Sequence, residues 1–336
     1  MKKLIIITSA LALAGSVSYA MEEADKEMMM EAPAPSVAVT GAAKMGVKNV
    51  SSDVEANDSG MALIEDFQVS FAASGTTDGG LMFGASLAIE QDGRADGKVK
   101  GSTVYVGGAG GAWKLAFGDP DPGAWSAGGI GVTEEDNILL ASGHKIELSG
   151  SFEGASYVLT SNEPSGDDEN QWSMGVKYDA GAVNVGVGMD SEKGLALGVS
   201  TDLSGVSTSV FYAKSESADN DDMAITAAPT DDVPVPAGNM YGEKRSGVGV
   251  KASMAAGENA TISLAYSTNK TQRTANAGLI VDAAAGFVTS VKKKKISVDF
   301  DYDLGGGASF NAGVDQVDTE NVEKVTTLEA SIAMSF

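Results

Sequence analysis

The sequence contains no cysteine among its 336 residues. That excludes disulfide stapling and a lipid anchor on an N-terminal cysteine. Histidine occurs once, at His144, and aromatic residues make up only 6% of the chain. Beyond the first 15 residues no apolar run approaches the roughly 20 residues that a membrane-spanning helix needs. Basic residues are also scarce. Lys and Arg number 23 against 46 Asp and Glu, a net charge of −23. A phosphate backbone would be repelled by such a chain, which argues against a nucleic-acid partner. Glycine is abundant at 42 residues against 8 prolines, and mean hydropathy is −0.02. Together these suit many short strands and turns better than helices.

The chain opens with Met1-Lys2-Lys3, an apolar run from Leu4 to Gly15, and small residues at Ser18 and Ala20. A basic start, a short apolar core and a small-residue site predict a secretory signal peptide over 1–20, cleaved after Ala20. Removing Lys2 and Lys3 takes the net charge from −23 to −25, which suits long solvated loops facing water. Residues 21–35 show no alternation and end in Pro, so they read as a flexible acidic periplasmic extension.

From Ser36 onward the sequence alternates with a period of two. In the last strand Leu328, Ala330, Ile332, Met334 and Phe336 face opposite Thr327, Glu329, Ser331, Ala333 and Ser335. Leu81, Phe83, Ala85, Leu87 and Ile89 form another such face, as do Ile296, Val298, Phe300 and Tyr302. Sixteen strands are predicted, at about 36–48, 61–73, 80–91, 97–107, 112–118, 143–152, 155–162, 170–179, 182–190, 194–202, 205–215, 244–255, 258–269, 292–303, 307–317 and 325–336. A soluble sandwich would alternate too. Connection lengths separate the two classes. Tight Gly- or Asp-rich turns follow the even strands, whereas longer polar segments at 49–60, 119–142, 216–243, 270–291 and 318–324 follow odd ones. The segment around Ser191 is short and breaks the rule. Short turns on one rim and long loops on the other describe an outer-membrane barrel, all-β over 36–336, with no exposed edge.

The turn segments Ser74-Gly-Thr-Thr-Asp-Gly-Gly-Leu-Met-Phe-Gly-Ala-Ser86 and Tyr302-Asp-Leu-Gly-Gly-Gly-Ala-Ser309, with the terminal Phe336, resemble the general porins of alphaproteobacterial outer membranes. The resemblance implies a 16-stranded barrel in the cell outer membrane, a homotrimer, an inward-folded third loop, and passage of small hydrophilic solutes and ions. Residues 21–35 depart from that family, whose barrel starts close to the cleavage site.

The same resemblance places the pore constriction in 119–142. Pro120 and Pro122 stiffen its start, and its carboxylates are Asp119, Asp121, Glu134, Glu135 and Asp136. Alternation turns Lys44, Lys48, Lys114 and Lys145 toward the lumen, with Lys44, Lys114 and Lys145 the candidates to oppose the loop acids. Lys98 and Lys100 sit on a strand of less certain register. The acidic balance predicts a weak preference for cations. No cofactor and no catalytic residue is expected. His144 carries no serine or carboxylate motif of a nucleophile, so it reads as structural or pore-lining rather than hydrolytic. The runs Asp219-Asn-Asp-Asp222, Asp231-Asp232 and Asp167-Asp168-Glu169 offer oxygen ligands for Ca²⁺ but lack the EF-hand spacing. Trp172, Tyr178, Tyr157, Tyr212, Tyr266, Tyr302 and Phe336 fall near strand ends, as an interfacial girdle requires. Lys292-Lys-Lys-Lys295 fits an outer rim held against anionic outer-membrane lipid. The alternatives are a substrate-specific channel or an exported soluble adhesin.

Overall fold

The computed structural model describes residues 34–54, 59–92, 97–128, 138–139, 143–162, 171–216, 241–275 and 288–336. The expected signal peptide, nearly all of the acidic extension, and the Asp167, Asp219 and Asp231 runs lie outside them. The described residues form sixteen antiparallel strands, one short α-helix and a 3-10 turn at Ala109–Gly111. The strands are β1 Ser36–Ser52, β2 Gly60–Thr76, β3 Met82–Asp92, β4 Lys98–Gly107, β5 Trp113–Phe117, β6 Ile146–Phe152, β7 Ala155–Ser161 and β8 Trp172–Asp179. They continue as β9 Val183–Asp190, β10 Leu195–Leu203, β11 Val206–Glu216, β12 Tyr241–Ala255, β13 Ala260–Ala275, β14 Val288–Gly305, β15 Ala308–Thr319 and β16 Glu323–Ser335. Helix α1 spans Gly123–Gly128.

Each strand pairs with its sequence neighbours, and β1 pairs with β16, so the sheet is a closed barrel. Closure satisfies the backbone of both edge strands, which hydrocarbon could not do. The seam runs from Ala42 opposite Ser335 to Ser52 opposite Val325. Phe336 extends it by one residue: its N–H donates to Gly41 O at 3.0 Å, and Gly41 N–H donates to Phe336 O at 2.6 Å.

The barrel is inside-out relative to a soluble domain. On β9, Val183, Val185, Val187 and Met189 point outward, while Gly186, Gly188 and Asp190 are buried. Leu328, Ile332 and Phe336 are exposed in the same way on β16, with Met334 on the same face. Among the predicted girdle residues Trp172, Tyr178, Tyr212, Tyr266, Tyr302 and Phe336 are exposed on that outer surface.

Several connections differ from the sequence expectation. The segment 318–324 is a tight turn rather than a loop, because Val322 N–H donates to Thr319 O at 3.0 Å and Asn321 adopts φ 59°. The left-handed conformation, tolerated by Asn, reverses the chain in place. Likewise β12, β13 and β14 extend past the predicted ends to 241, 275 and 288. Ladder hydrogen bonds keep those polar ends paired after the lipid-facing alternation has stopped.

Candidate functional site

The loop after β5 starts from a fixed root. Gly118 N–H donates to Lys145 O at 2.9 Å, so the outgoing and returning limbs are held together where the loop begins. Pro120 and Pro122 restrict φ and remove donors, which ends strand pairing. Trp125 N–H then donates to Pro122 O at 2.9 Å, and α1 begins.

Helix α1 packs against β7, β8, β9 and β10. Gly188, on the face opposite Val187 and Met189, shows which side of the wall this is. A Cβ built there would lie 2.5 Å from Ala124 O, so α1 rests on the lumen face. Two wall hydroxyls hold its first turn. Gly123 N–H donates to Thr160 Oγ1 at 2.9 Å and Ala124 N–H to Ser173 Oγ at 2.8 Å. These donors would otherwise lack partners at a helix start. Further along, Ile138 and Leu139 are buried with Ala124, Ala196, Phe211 and Ala213, and Trp125 packs on the group. The Ser215 hydroxyl donates to Ile138 O. An apolar island on β10 and β11 therefore seats the loop in an otherwise polar lumen.

His144 joins the two limbs. It is 1% exposed, and its Nδ1 lies 2.6 Å from Thr160 Oγ1, the same hydroxyl that accepts from Gly123. Burial holds the imidazole pKa below its ordinary value. The seated loop thus favours neutral His144. Stability from this contact is fully present above the ordinary histidine value of about 6.5 and declines as pH falls below it. Single-channel records are expected to show increased closing and flicker between pH 7 and pH 5, and His144→Gln to remove that dependence. A wild-type trace unchanged with pH would contradict the assignment.

The structure pairs Lys44 and Lys114 with wall carboxylates, and Lys145 with a carboxylate of the loop itself. Lys44 forms an ion pair with Glu329 across the barrel seam. Lys114 pairs with Glu147 at 2.8 Å, and Lys145 pairs with Asp119 at 3.3 Å at the loop root. Lys100 pairs with Glu90 at 2.6 Å. Asp121 is exposed beside α1, and Glu134, Glu135 and Asp136 lie outside the described residues. Glu147 and Glu329 were missed as partners because alternation gives the face of a side chain but not its height. Also unanticipated is an acidic recess on the lumen wall. Asp299, Asp301, Asp315 and Glu329 line it with Asn311 and Thr327. Lys295 approaches Asp315 at 3.7 Å. The alternation of β14 to β16 already put these acids on one face. Only the pairing register, Asp301 opposite Asn311 and Gly313 opposite Glu329, brings them together.

A closed sixteen-stranded barrel with an apolar outer belt, a charged inner wall and a loop seated inside defines a transmembrane channel of the outer-membrane type. The chain belongs to the Gram-negative porin family, whose model matches residues 5–322. It is an outer-membrane diffusion porin. Among solved structures, one similar chain is a porin refined at 1.8 Å resolution, at 21% identity and TM-score 0.61. Another is OmpT of Vibrio cholerae in its trimer form, at 10% identity and TM-score 0.65. A third is an anion-selective porin from Comamonas acidovorans, at 14% identity and TM-score 0.62. Each alignment covers 90% of this chain and 100% of the other. No curated protein sequence matches the chain.

Proposed function

We propose that this porin is a general channel for small hydrophilic solutes and ions, that it works as a homotrimer, and that it prefers cations weakly. The acidic recess of β14–β16 carries the selectivity reading. Asp299, Asp301, Asp315 and Glu329 share one patch of lumen wall, with Lys295 near one edge and Lys44 paired to Glu329 at the other. Lys114, Lys145 and Lys100 are paired to carboxylates elsewhere on the wall and at the loop root, so the four recess acids face three lysines, Lys44, Lys295 and Lys251 near Asp299, and the recess keeps a net negative charge. Focusing of that charge by the low-dielectric wall raises local cation concentration. A similar structure that is anion-selective indicates that the fold does not set the sign, so the lumen side chains must. The trimer reading rests on the trimer form of one similar structure.

Zero-current potential under a salt gradient tests the selectivity. The wild type is expected to favour K⁺ over Cl⁻ by about two- to fivefold at 0.1 M salt, and less at 1 M as the Debye length shrinks from about 10 to 3 Å. Asp299→Asn/Asp301→Asn/Asp315→Asn should bring the ratio to unity or reverse it. Anion preference in the wild type, or no change in the variant, would overturn the reading. Saturable block of the current by one solute class would replace general diffusion with a specific channel. A purely monomeric population in mild detergent would remove the trimer.

A further inference from the structure

The outer surface of the barrel has two unlike faces. Among the described residues, the exposed Trp and Tyr side chains of the strands are Trp113, Trp172, Tyr178, Tyr212, Tyr266 and Tyr302, and all lie on β5–β14. The outward positions of β15, β16 and β1–β4 carry neither residue. Such rings mark contact with lipid headgroups. The girdle is therefore interrupted over six neighbouring strands. Those strands also carry polar groups where lipid favours apolar ones. On β2 the outward column reads Met61, Leu63, Glu65, Phe67, Val69 and Phe71. Glu65 is exposed and forms no hydrogen bond or ion pair with another described residue. A carboxylate in that column is unfavourable against hydrocarbon. β3 pairs with β2 only as far as Asp92, opposite Asp66, so Met61 and Leu63 stand 75% and 73% exposed beyond that point.

The two halves of this face complement each other in shape and chemistry. Across β14, β15, β16 and β1 one row of cross-strand partners reads Phe300, Ala312, Ala330, Val47. Two small side chains between two bulky ones leave a groove in the outer surface. It continues past Val314 and Leu328 and encloses about 470 Å³. On β2 and β3, by contrast, Phe67, Phe71, Leu87 and Ile89 project as bulky exposed side chains. The grooved half also presents amide and hydroxyl donors on its outward columns, at Asn49, Gln316 and Thr326. The projecting half presents the acceptor, Glu65.

We propose that this face is the contact between copies of this chain, made head-to-tail: Phe67 and Ile89 of one subunit seat in the groove over Ala312 and Ala330 of the next, and Glu65 accepts hydrogen bonds from that neighbour's donors. The assignment rests on the homotrimer reading and adds the interface and its polar contact. A head-to-tail contact leaves one half unsatisfied in any open assembly, and threefold closure uses both halves of every subunit. Six strands about 4.8 Å apart, crossing an apolar band about 25 Å tall, make a face of roughly 700 Å². That is the order of the roughly 800 Å² that one partner commits to a stable interface. In the ring Glu65 leaves the lipid, and the missing girdle is explained because this side meets no headgroups.

The chain has no cysteine, so thiol cross-linking reads the contact without background. Chains carrying Phe67→Cys and chains carrying Ala312→Cys are unfolded, mixed, refolded together into detergent micelles and treated with a short bismaleimide. Linked pairs of subunits are expected from the mixture. Either variant alone should stay unlinked, because a head-to-tail contact keeps like positions apart. Val187→Cys, on the outer face of β9, should stay unlinked alone or mixed. Ala312→Trp/Ala330→Trp fills the groove and should cut the trimer fraction seen by native mass spectrometry at least about tenfold. Glu65→Leu should lower that fraction about three- to tenfold, whereas a lipid-facing Glu65 would give no loss. Unit conductance of each folded barrel should match wild type, since none of these side chains faces the lumen. Linkage through Val187→Cys, linkage of Phe67→Cys only with itself, or a trimer fraction unchanged in the groove and Glu65 variants would overturn the assigned face and leave the trimer standing. A wild type that is monomeric throughout would overturn the trimer reading and this interface with it.

Discussion

Gly188→Val should give a barrel that folds but conducts abnormally, with single-channel conductance raised by roughly half to twofold and with frequent steps between levels. The reason is local. A Cβ at Gly188 would lie 2.5 Å from Ala124 O and 2.7 Å from its Cα. Backbone is on both sides of that contact, so no rotamer change relieves it. Overpacking of this kind costs about 1–3 kcal/mol. The bonds from Gly123 to Thr160 and from Ala124 to Ser173 contribute about 0.5–1.5 kcal/mol each. The strain is therefore comparable with the hydrogen bonding that seats the first turn of α1. The outer face of β9 and its ladder to β8 and β10 are untouched, so the barrel itself should still show heat-modifiable mobility on gels. Conductance identical to wild type would show that the loop tolerates displacement or does not narrow the path. Loss of the folded band would mean that the loop contributes to barrel assembly as well.

How much of this was legible beforehand depends on which physical signal each feature leaves in the sequence. Strand number, the outward residues and the inward placement of Lys44 and Lys114 follow from a period-two pattern that lipid imposes on one face, whereas Lys100 turns inward only through the register shift between β3 and β4. The inward residues obey only polarity, a weaker rule. It admits Phe211 and Ala213, whose apolar character makes sense only once Ile138 and Leu139 are found against them. The same is true of Thr160 and Ser173, ordinary polar positions until α1 places two backbone donors on them. Lys44 and Glu329 are 285 residues apart. Nothing local in the sequence joins them, and only closure of β1 on β16 does. The lysine run at 292–295 was visible as a charge cluster, but its division between lumen and lipid needed the burial of Ser297. Strand ends were misjudged for a related reason. Above the membrane belt the alternating constraint disappears while backbone pairing continues, so β12–β14 run on through polar residues.

The seam itself yields the last expectation: Gly46→Val should block formation of the folded barrel far more than Gly41→Val. Both glycines are on β1, where β16 closes the sheet, and both leave room that a side chain would fill. At Gly41 a Cβ would meet only the ring of Phe336, the far end of a side chain exposed on the outer surface. That ring can rotate into lipid, and the two backbone bonds between Gly41 and Phe336 can survive its departure. At Gly46 a Cβ would meet Ala330 O and would lie 2.7 Å from Ser331 Cα, backbone of the facing strand. Relief there requires β1 and β16 to separate along the ladder that runs from Ala42–Ser335 to Ser52–Val325. An unpaired seam would expose backbone groups to hydrocarbon at several kcal/mol each. Refolding from urea into detergent micelles, scored by the heat-modifiable band, should rank wild type first, Gly41→Val second at a yield reduced by less than about twofold, and Gly46→Val last at less than about a tenth of wild type. The barrel joins its most distant strands at this seam, and such non-local pairing carries the greatest closure entropy, so the defect should appear in the yield of closed barrel more than in the strand content seen by circular dichroism. Equal yields for the two variants, or a worse outcome for Gly41→Val, would show that the seam can shift to accommodate a side chain and that the aromatic terminus, not backbone proximity, controls closure.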